Sequence, residues 1–495
     1  MDDALLLLLT MVLPLLGAIV ISRLGRWPNI RELAGVLVAV ALFAVVLNLY
    51  IDFRLGMTAS IVLAEPFDGL PLAFSLNTLG LLFALVASGL WIVTTIYAIG
   101  YMRAHHEGHQ TRFFAFFAVS IAAVMAISFS DNLFTLFVFY ELLTLATYPL
   151  VTHSGTPEAR RSGRIYLTVL MGSSIGLFLF GLLIVWSLTG SLTFTPEGIL
   201  KGHIDDVWVA PLYLLFVFGI GKAAVMPMHK WLPAAMVAPT PVSALLHAVA
   251  VVKAGVFTLL KVTLFIFGPG LLSDSGAVQW LIWLPVFTIL MASLIAMTRD
   301  NLKERLAYST ISQLSYIVLG TLLANEAGLF GASLHIVMHA FAKIALFFAA
   351  GAILVAAHKT RVSELDGLGV AMPITFGVFM IGALSIIGLP PFGGMWSKWY
   401  LAQGTLDFAG PPLAQYVLLG TLMVSSLLNI AYLLEIPFRG FFKKAPADDG
   451  HHGGEAPLPC LVGLVLPAAF CVYLFFSPEP FFDLLQAGAS SVEVP

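Results

Sequence analysis

Residues 216–257 read FVFGIGKAAVMPMHKWLPAAMVAPTPVSALLHAVAVVKAGVF. This stretch is apolar enough to enter a lipid bilayer, yet it carries Lys222, Lys253 and four prolines. Proline lacks a backbone N–H and clashes with the preceding helical turn, so Pro227 predicts a helix break five residues after Lys222. Broken backbone at membrane depth is tolerated only within protein or beside water. We therefore predict an interrupted helix next to a hydrated lysine inside a membrane protein.

The composition of the whole chain agrees with a membrane location. Hydrophobic residues make up 59% of the 495 residues, charged residues make up 10%, and the mean hydropathy is +0.97. Soluble domains carry about 25% charged residues. Segments of about 20 apolar residues predict about fourteen transmembrane helices, so the expected fold class is an all-α polytopic membrane protein in a lipid bilayer.

Several classes of function are not indicated by the sequence. The net charge is −3 and gives no sign of nucleic-acid binding. No GxxxxGK[ST] phosphate loop is present, and the two cysteines, Cys460 and Cys471, are too few for an iron–sulfur cluster. We therefore expect no cofactor and no metal, and energy from an ion gradient or a partner.

The basic residues of the loops predict the orientation. With the first helix starting outside, the outside loops hold only Arg54 and Lys201, and the other loop arginines and lysines fall inside. This asymmetry satisfies the positive-inside rule with both termini outside. Asp2 and Asp3 stand where a signal peptide has basic residues, so we expect the N-terminus to be a retained span.

A buried carboxylate is predicted in DNLFTLFVFYELLTLATYPLVTH (131–153), which contains Glu141. Thr144 and Tyr148 follow three and seven residues later and share its helical face. A charge at bilayer depth costs roughly 2.5 to 3.5 kcal/mol, so it is kept for a reason. The functional interpretation is that Glu141 sets the proton affinity of a lysine on a neighbouring helix, and the alternative is a purely structural pairing.

A second polar stripe lies in SLHIVMHAFAKIALFFAAGAIL (333–354). His335, His339 and Lys343 occur at i, i+4 and i+8, which places them along one side of a single helix. Three titratable groups about 6 Å apart make a proton relay plausible. The alternative is that the histidines are ordinary core residues.

The segment GLPPFGGMWSKWYL (388–401) repeats the pattern of a proline break beside a lysine. Pro390 and Pro391 predict the break, and Lys398 follows. Interrupted helices at corresponding places in two halves are typical of transporters with inverted repeats. We therefore predict two inverted five-helix repeats, helices 4–8 and 9–13, with broken helices 7 and 12. The predicted parts are residues 1–110 with helices 1–3, the repeats 111–268 and 269–440, and 441–495 with a polar loop and helix 14.

Weaker candidates complete the set. Lys261 is interpreted as an accessory group or as a lysine that snorkels to the outer surface. His247 precedes Lys253 on its helix, and Glu435 is either a cation contact or a surface carboxylate. The loop sequence HHEGH (105–109) lacks the HExxH spacing of a zinc helix, so we expect a solvated loop, and the histidines at 451 and 452 are expected in a flexible connector.

Residues 226–257, the motif NLKERLAYSTISQLSYIVLG (301–320) and the histidine–lysine helix together resemble the antiporter-like subunits of respiratory complex I and of Mrp cation/proton antiporters. The resemblance covers about residues 70 to 440. It implies a fourteen-helix subunit of a bacterial or archaeal plasma membrane that works with other membrane subunits. The proton relay it implies consists of Glu141, Lys222, Lys253, His335, His339, Lys343 and Lys398, with Ser309 as an accessory group.

The branch within this family is indicated by helix 12 and by chain length. The M-type subunit of complex I usually carries glutamate at the helix-12 position, whereas Lys398 resembles the Mrp D-type and the complex I L-type. The L-type has a long lateral helix after its last span. The resemblance therefore favours a D-type subunit of a Na⁺/H⁺ antiporter, and the alternative is a pump subunit of complex I or of a membrane-bound hydrogenase.

Overall fold

The computed structural model describes residues 3–444 and 454–489. The polar connector predicted around residues 451 and 452 lies outside the described residues. The first part of the chain contains helices that run back and forth, separated by one β-hairpin. Its elements are α1 (Asp3–Arg23), α2 (Pro28–Arg54), β1 (Ser60–Phe67), β2 (Leu70–Ser75), α3 (Thr78–Ala104), α4 (Gln110–Phe129), α5 (Leu133–Val151), α6 (Pro157–Ser173) and α7 (Leu179–Thr189).

The middle part contains the first broken helix and the helix of Lys253. A π-helical segment, Ser174–Phe178, joins α6 to α7, and further π-helical segments occur on both sides of α11. The elements are α8 (Asp206–Gly219), α9 (Trp231–Ala234), α10 (Thr240–Ala244), α11 (Val251–Val262), α12 (Pro269–Asp274), α13 (Val278–Leu281), α14 (Trp283–Thr298) and α15 (Leu302–Leu322).

The last part is built around one long buried helix, α16. It spans 32 residues and packs against α15, α18, α19 and α21, which places its polar stripe in the interior. The elements are α16 (Glu326–Ala357), α17 (Leu368–Ala371), α18 (Pro373–Ile387), α19 (Gly394–Leu406), α20 (Pro412–Phe442), α21 (Leu458–Phe476) and α22 (Glu479–Ala489).

The architecture is that of a polytopic helical membrane protein. Within the described residues, ten helices are long and apolar enough to cross a membrane, and two shorter apolar helices, α8 and α18, end at the predicted breaks. The number fourteen and the repeat boundaries 111–268 and 269–440 stay predictions.

The hairpin β1–β2 was missed by the prediction of an all-α chain. Its strands pair in antiparallel register from Ser60 with Ser75 to Phe67 with Leu70. The backbone N–H of Ala73 donates to Thr135 Oγ1 at 3.0 Å, so the hairpin is attached to the beginning of α5. The hairpin lies between two strongly apolar spans, and its short strands carry no signal that separates them from a loop.

Both predicted helix breaks are present, but Lys222 lies within its break and not before it. Helix α8 ends at Gly219, Lys222 sits in a 3₁₀ turn (Gly221–Ala223), and Ala224 has a φ of +55°. The helix therefore ends eight residues before Pro227, because the turn begins at glycine-rich sequence upstream of the proline. In the second break α18 ends at Ile387, Gly388 has a φ of +89°, and the helix resumes at Gly394.

Candidate functional site

The site begins at Lys222, whose side chain is fully buried. Its Nζ donates to the carbonyl oxygen of Tyr140 at 2.7 Å and to Thr144 Oγ1 at 2.6 Å, and it lies 3.1 Å from the Tyr140 ring centroid. The break is fixed by Trp231, whose Nε1 donates to the carbonyl of Gly221 at 2.9 Å. The unwound segment thus directs the lysine at one turn of α5.

Glu141 lies near Lys222 without touching it. The two are within range of electrostatic attraction, but neither carboxylate oxygen has a hydrogen-bond partner in the described residues, although both oxygens are buried. Residues 140 and 144 occupy one side of α5, and position 141 is turned about 100° from position 140. The third residue of the predicted face, Tyr148, packs close to Gly163 of α6. The role of Glu141 in setting the proton affinity of Lys222 stays a prediction.

The centre of the molecule contains a row of titratable groups. Lys253 Nζ lies 2.7 Å from His339 Nδ1, and the rings of His339 and His335 are 5.8 Å apart. His335 Nδ1 lies 2.8 Å from Ser397 Oγ, whose chain neighbour is Lys398. All of these side chains except Lys398 are nearly inaccessible to solvent. The structure thus brings together the lysine of α11, the histidines of α16 and the helix that follows the second break.

Lys343 belongs to a separate hydroxyl network on the same helix. Its Nζ donates to Ser309 Oγ at 2.7 Å, and Tyr432 donates its hydroxyl to the same Ser309 oxygen at 3.0 Å. Tyr432 also contacts Asn429, one turn earlier on α20. Ser309, the predicted accessory group, is therefore the direct partner of Lys343.

Lys398 reaches the second break and α20. Its Nζ donates to the carbonyl oxygen of Ile387 at 3.1 Å and to Ser426 Oγ at 2.8 Å, and lies 4.9 Å from the Tyr316 ring centroid. The last carbonyls of a helix have no intrahelical partner, so the end of α18 offers an acceptor at this depth. Tyr316 also stacks on His335 with a centroid distance of 5.7 Å. One aromatic ring therefore joins Lys398 to the histidine row.

Electrostatic coupling extends over the whole row. His335 is within range of repulsion from Lys253, Lys343 and Lys398, and Lys253 is within range of Lys343. At an effective dielectric constant near 20, charges about 6 Å apart interact by roughly 3 kcal/mol. A proton that arrives at one group therefore changes the proton affinity of the next.

The snorkelling interpretation of Lys261 is wrong. Only 2% of the residue is exposed, and its Nζ donates to the carbonyl oxygen of Ser130 at 2.7 Å. Ser130 follows the last turn of α4, where the carbonyls favour a cation, and the ring of Phe194 lies 4.8 Å from the amine. The side chain turns inward because a helix end is closer than the surface.

Glu435 and His247 have different outcomes. Both Glu435 oxygens accept from arginines, from Arg305 at 2.7 Å and from Arg439 at 2.8 Å. These two ion pairs hold its carboxylate at one end of α20. The backbone of His247 lies in the π-helical segment before α11, and its side chain is not among the described ones.

Sequence reasoning missed the hydroxyl and amide groups of α15 and α20. Their spacing could have revealed them, because the polar positions recur every three or four residues on one side of each helix. Ser293, Ser312 and Ser425 also meet within 3.4 Å of one another, where α14, α15 and α20 pack together. The missed residues are Ser312, Tyr316, Ser425, Ser426, Asn429 and Tyr432.

Metal binding has no support in the described part of the chain. No group of three or more histidine, cysteine, aspartate or glutamate side chains there could hold a metal ion. In the HHEGH loop, His105 Nδ1 lies 3.1 Å from Glu107 Oε1.

Comparison with protein-family models assigns most of this site to one family. The model described as "NADH:quinone oxidoreductase/Mrp antiporter, TM" matches residues 130–425, and the model of the N-terminus of complex I chain 5 matches residues 68–114. The chain belongs to this family. It is therefore an antiporter-like, proton-translocating subunit of the Mrp or complex I type, and such subunits occur in multisubunit membrane complexes.

Named relatives come from both branches of the family. The chain is 35% identical to "NADH-quinone oxidoreductase subunit N" of Desulforudis audaxviator over 79% of this chain and 75% of the relative. It is 30% identical to one of the Na(+)/H(+) antiporter subunits of Alkalihalophilus pseudofirmus, over 84% of this chain and 53% of the relative.

Solved structures show the same fold. A chain of the Mrp complex from Dietzia sp. DQ12-45-1b superposes with a TM-score of 0.86 at 23% identity, covering 99% of this chain and 97% of that chain. A chain of the archaeal membrane-bound sulfane sulfur reductase gives 0.85 at 24% identity, covering 99% and 98%. At these identities the likeness concerns the fold alone.

Proposed function

We propose that this chain is the D-type subunit of an Mrp-type Na⁺/H⁺ antiporter and that it moves protons through its buried lysine, glutamate and histidine residues. The observation that carries the proposal is the contact row from Lys253 through His339 and His335 to Ser397, beside Lys398. A lysine at position 398, and not the glutamate usual in M-type subunits, supports the D-type assignment.

The mechanism follows from the contacts. A proton on Lys253 can pass to His339, because the lysine amine and the imidazole nitrogen share one hydrogen bond. From His335 it reaches the break beside Lys398 through Ser397 and water. The lysines repel one another electrostatically, so protonation of one favours release from the next. The chain itself carries out transport and no bond-forming chemistry.

A redox-driven complex is the second candidate. The relative of Desulforudis audaxviator is a subunit of an NADH-quinone oxidoreductase, and the fold also matches a chain of a respiratory membrane complex. In such an assembly the same lysine row would be driven by electron transfer in partner subunits. Neighbouring genes separate the two: small membrane subunits alone favour the antiporter, and iron–sulfur or flavin subunits favour the redox pump.

Transport by the purified assembly in lipid vesicles tests the proposal. The sodium gradient, the proton gradient and the electron donor are varied separately, and proton movement is followed with an internal pH dye. Lys222→Ala is expected to abolish sodium-dependent proton movement in an intact assembly, whereas Lys201→Ala, at a 63% exposed side chain, keeps it. Normal Na⁺/H⁺ exchange by Lys222→Ala would reject the relay, and movement that needs an electron donor would select the second candidate.

The orientation belongs to the same proposal. We place the protein in a bacterial or archaeal plasma membrane with both termini outside. Arg54 and Lys201 then face outward and the arginine-rich loops face inward. Accessibility of single cysteines introduced at these two positions to a membrane-impermeant reagent in whole cells checks the orientation, and labelling only after lysis would reverse it.

A further inference from the structure

A buried histidine outside the relay lies at the arginine-rich end of α5. His153 follows the last turn of that helix and is 3% exposed. Its Nε2 lies 2.9 Å from the carbonyl oxygen of Gly108, and its own carbonyl oxygen accepts from Arg112 at 2.9 Å. The HHEGH loop therefore closes over this imidazole.

The contacts define which nitrogen of His153 can take a proton. A carbonyl oxygen only accepts, so Nε2 carries hydrogen and Nδ1 keeps its lone pair. Nδ1 is buried and has no hydrogen-bond partner in the described residues. Burial lowers the pKa of His153, Arg112 and His109 lower it further, and Glu107 opposes them. The ring is therefore neutral near pH 7 and holds an added proton only briefly.

The loop connects this imidazole to solvent. Glu107 Oε2 lies 4.0 Å from His153 Nε2, and Glu107 Oε1 lies 3.1 Å from His105 Nδ1. The His105 side chain is 37% exposed and the Glu107 side chain 18%. A carboxylate between an exposed and a buried imidazole attracts protons and stabilises the buried ring when it is charged.

On the inner side, hydroxyl groups of α5 lead from His153 towards Lys222. Thr147 Oγ1 and the Tyr166 hydroxyl are 2.6 Å apart, and Thr144, one turn further, accepts from the Lys222 amine. The six residues from Thr147 to His153 correspond to about 9 Å at helical rise. Water can bridge such a gap where polar groups line it.

We propose that His153 is a proton-loading site, with His105 and Glu107 as its collectors, through which protons enter the half-path of Lys222 from the arginine-rich side. The inference rests on the proposed proton transport. The His153 Nδ1 lone pair takes a proton to give an imidazolium, and loss of that proton inward restores the neutral ring. Glu107 is a positioning residue that acts through His153.

The test uses the whole assembly in vesicles, with the pH on the two sides varied separately. His153→Gln keeps an N–H for the Gly108 carbonyl but cannot titrate. We expect its rate to fall by about 100-fold when the arginine-rich side is at pH 8, the scale of a positioned proton-transfer group, and by less at pH 6. The pH of the opposite side should affect variant and wild type equally. Glu107→Gln should show the same side-specific pH dependence at smaller size, and the exposed His106→Gln should behave as wild type.

The outcomes separate this inference from the proposed function. Wild-type rates and pH dependence in both His153→Gln and Glu107→Gln, with Lys222→Ala inactive, would reject the loading site and leave the relay. An effect that follows the pH of the opposite side would also reject it. If His153→Gln fails to assemble, Glu107→Gln alone decides, because its side chain makes no contact that the fold requires. Active Lys222→Ala would instead overturn the proposed function.

Discussion

The surroundings of Lys222 and of Lys253 differ in the type of partner. The Lys222 amine bonds to a backbone carbonyl and a hydroxyl of one helix, and neither a carboxylate nor an imidazole bonds to it in the described residues. The Lys253 amine meets a histidine directly, and that histidine is followed by another. A carbonyl can hold a charged amine but cannot take its proton, whereas an imidazole can do both. The comparison teaches that Lys222 holds a proton and that the Lys253 row transfers it.

Lys343→Ala is the largest expected effect and tests whether the row depends on charge. Removing the amine eliminates the charge to which Lys253 and His335 are coupled. We expect transport in vesicles to fall by at least about 100-fold. Lys201→Ala serves as the surface control, and normal transport by Lys343→Ala would contradict a relay along α16.

His339→Gln should have the next largest effect and separates the two regions. Glutamine keeps a polar side chain beside Lys253 but cannot take its proton. We expect a fall of about tenfold to 100-fold in proton movement. The comparison is sharpened by Thr144→Val, which removes a hydroxyl partner from Lys222 but no titratable group. If Thr144→Val is the more damaging of the two, the division into holding and transferring regions is wrong.

Tyr432→Phe should have a moderate effect. The change removes the hydroxyl that donates to Ser309, the partner of Lys343, and leaves the ring in place. A hydrogen bond of this kind contributes about 1 kcal/mol, so the rate should change by about fivefold. Initial rates in vesicles measure it, and a loss as large as that of Lys343→Ala would show that the tyrosine itself transfers protons.

Glu435→Gln should have the smallest effect on transport. Its carboxylate is used by Arg305 and Arg439, so the change weakens an ion-pair network and no transport step. We expect transport within about twofold of wild type and a lower melting temperature, since each arginine loses a charged partner. A changed affinity for sodium would instead restore the interpretation of Glu435 as a cation contact.

The sequence predicted the locations of the buried charges better than their partners. Lys222, Lys253, Lys343, His335 and His339 were identified because charge in an apolar span is costly. Their contacts could not be predicted, because they depend on which helices become neighbours. Lys261 illustrates the limit: its distance from the surface suggested snorkelling, but the carbonyl end of α4, far away in sequence, lies within reach.

By itself the sequence determined the membrane class, the two helix breaks and the titratable stripe of α16. These follow from composition, from the missing N–H of proline and from the helical period. Only the tertiary structure decided that Lys222 binds Tyr140 and Thr144 and not Glu141, that Lys253 meets His339, and that Lys343 meets Ser309. The physical reason is that hydrogen bonds between helices depend on helix rotation and crossing, and a rotation of about 100° exchanges one neighbouring residue for the next.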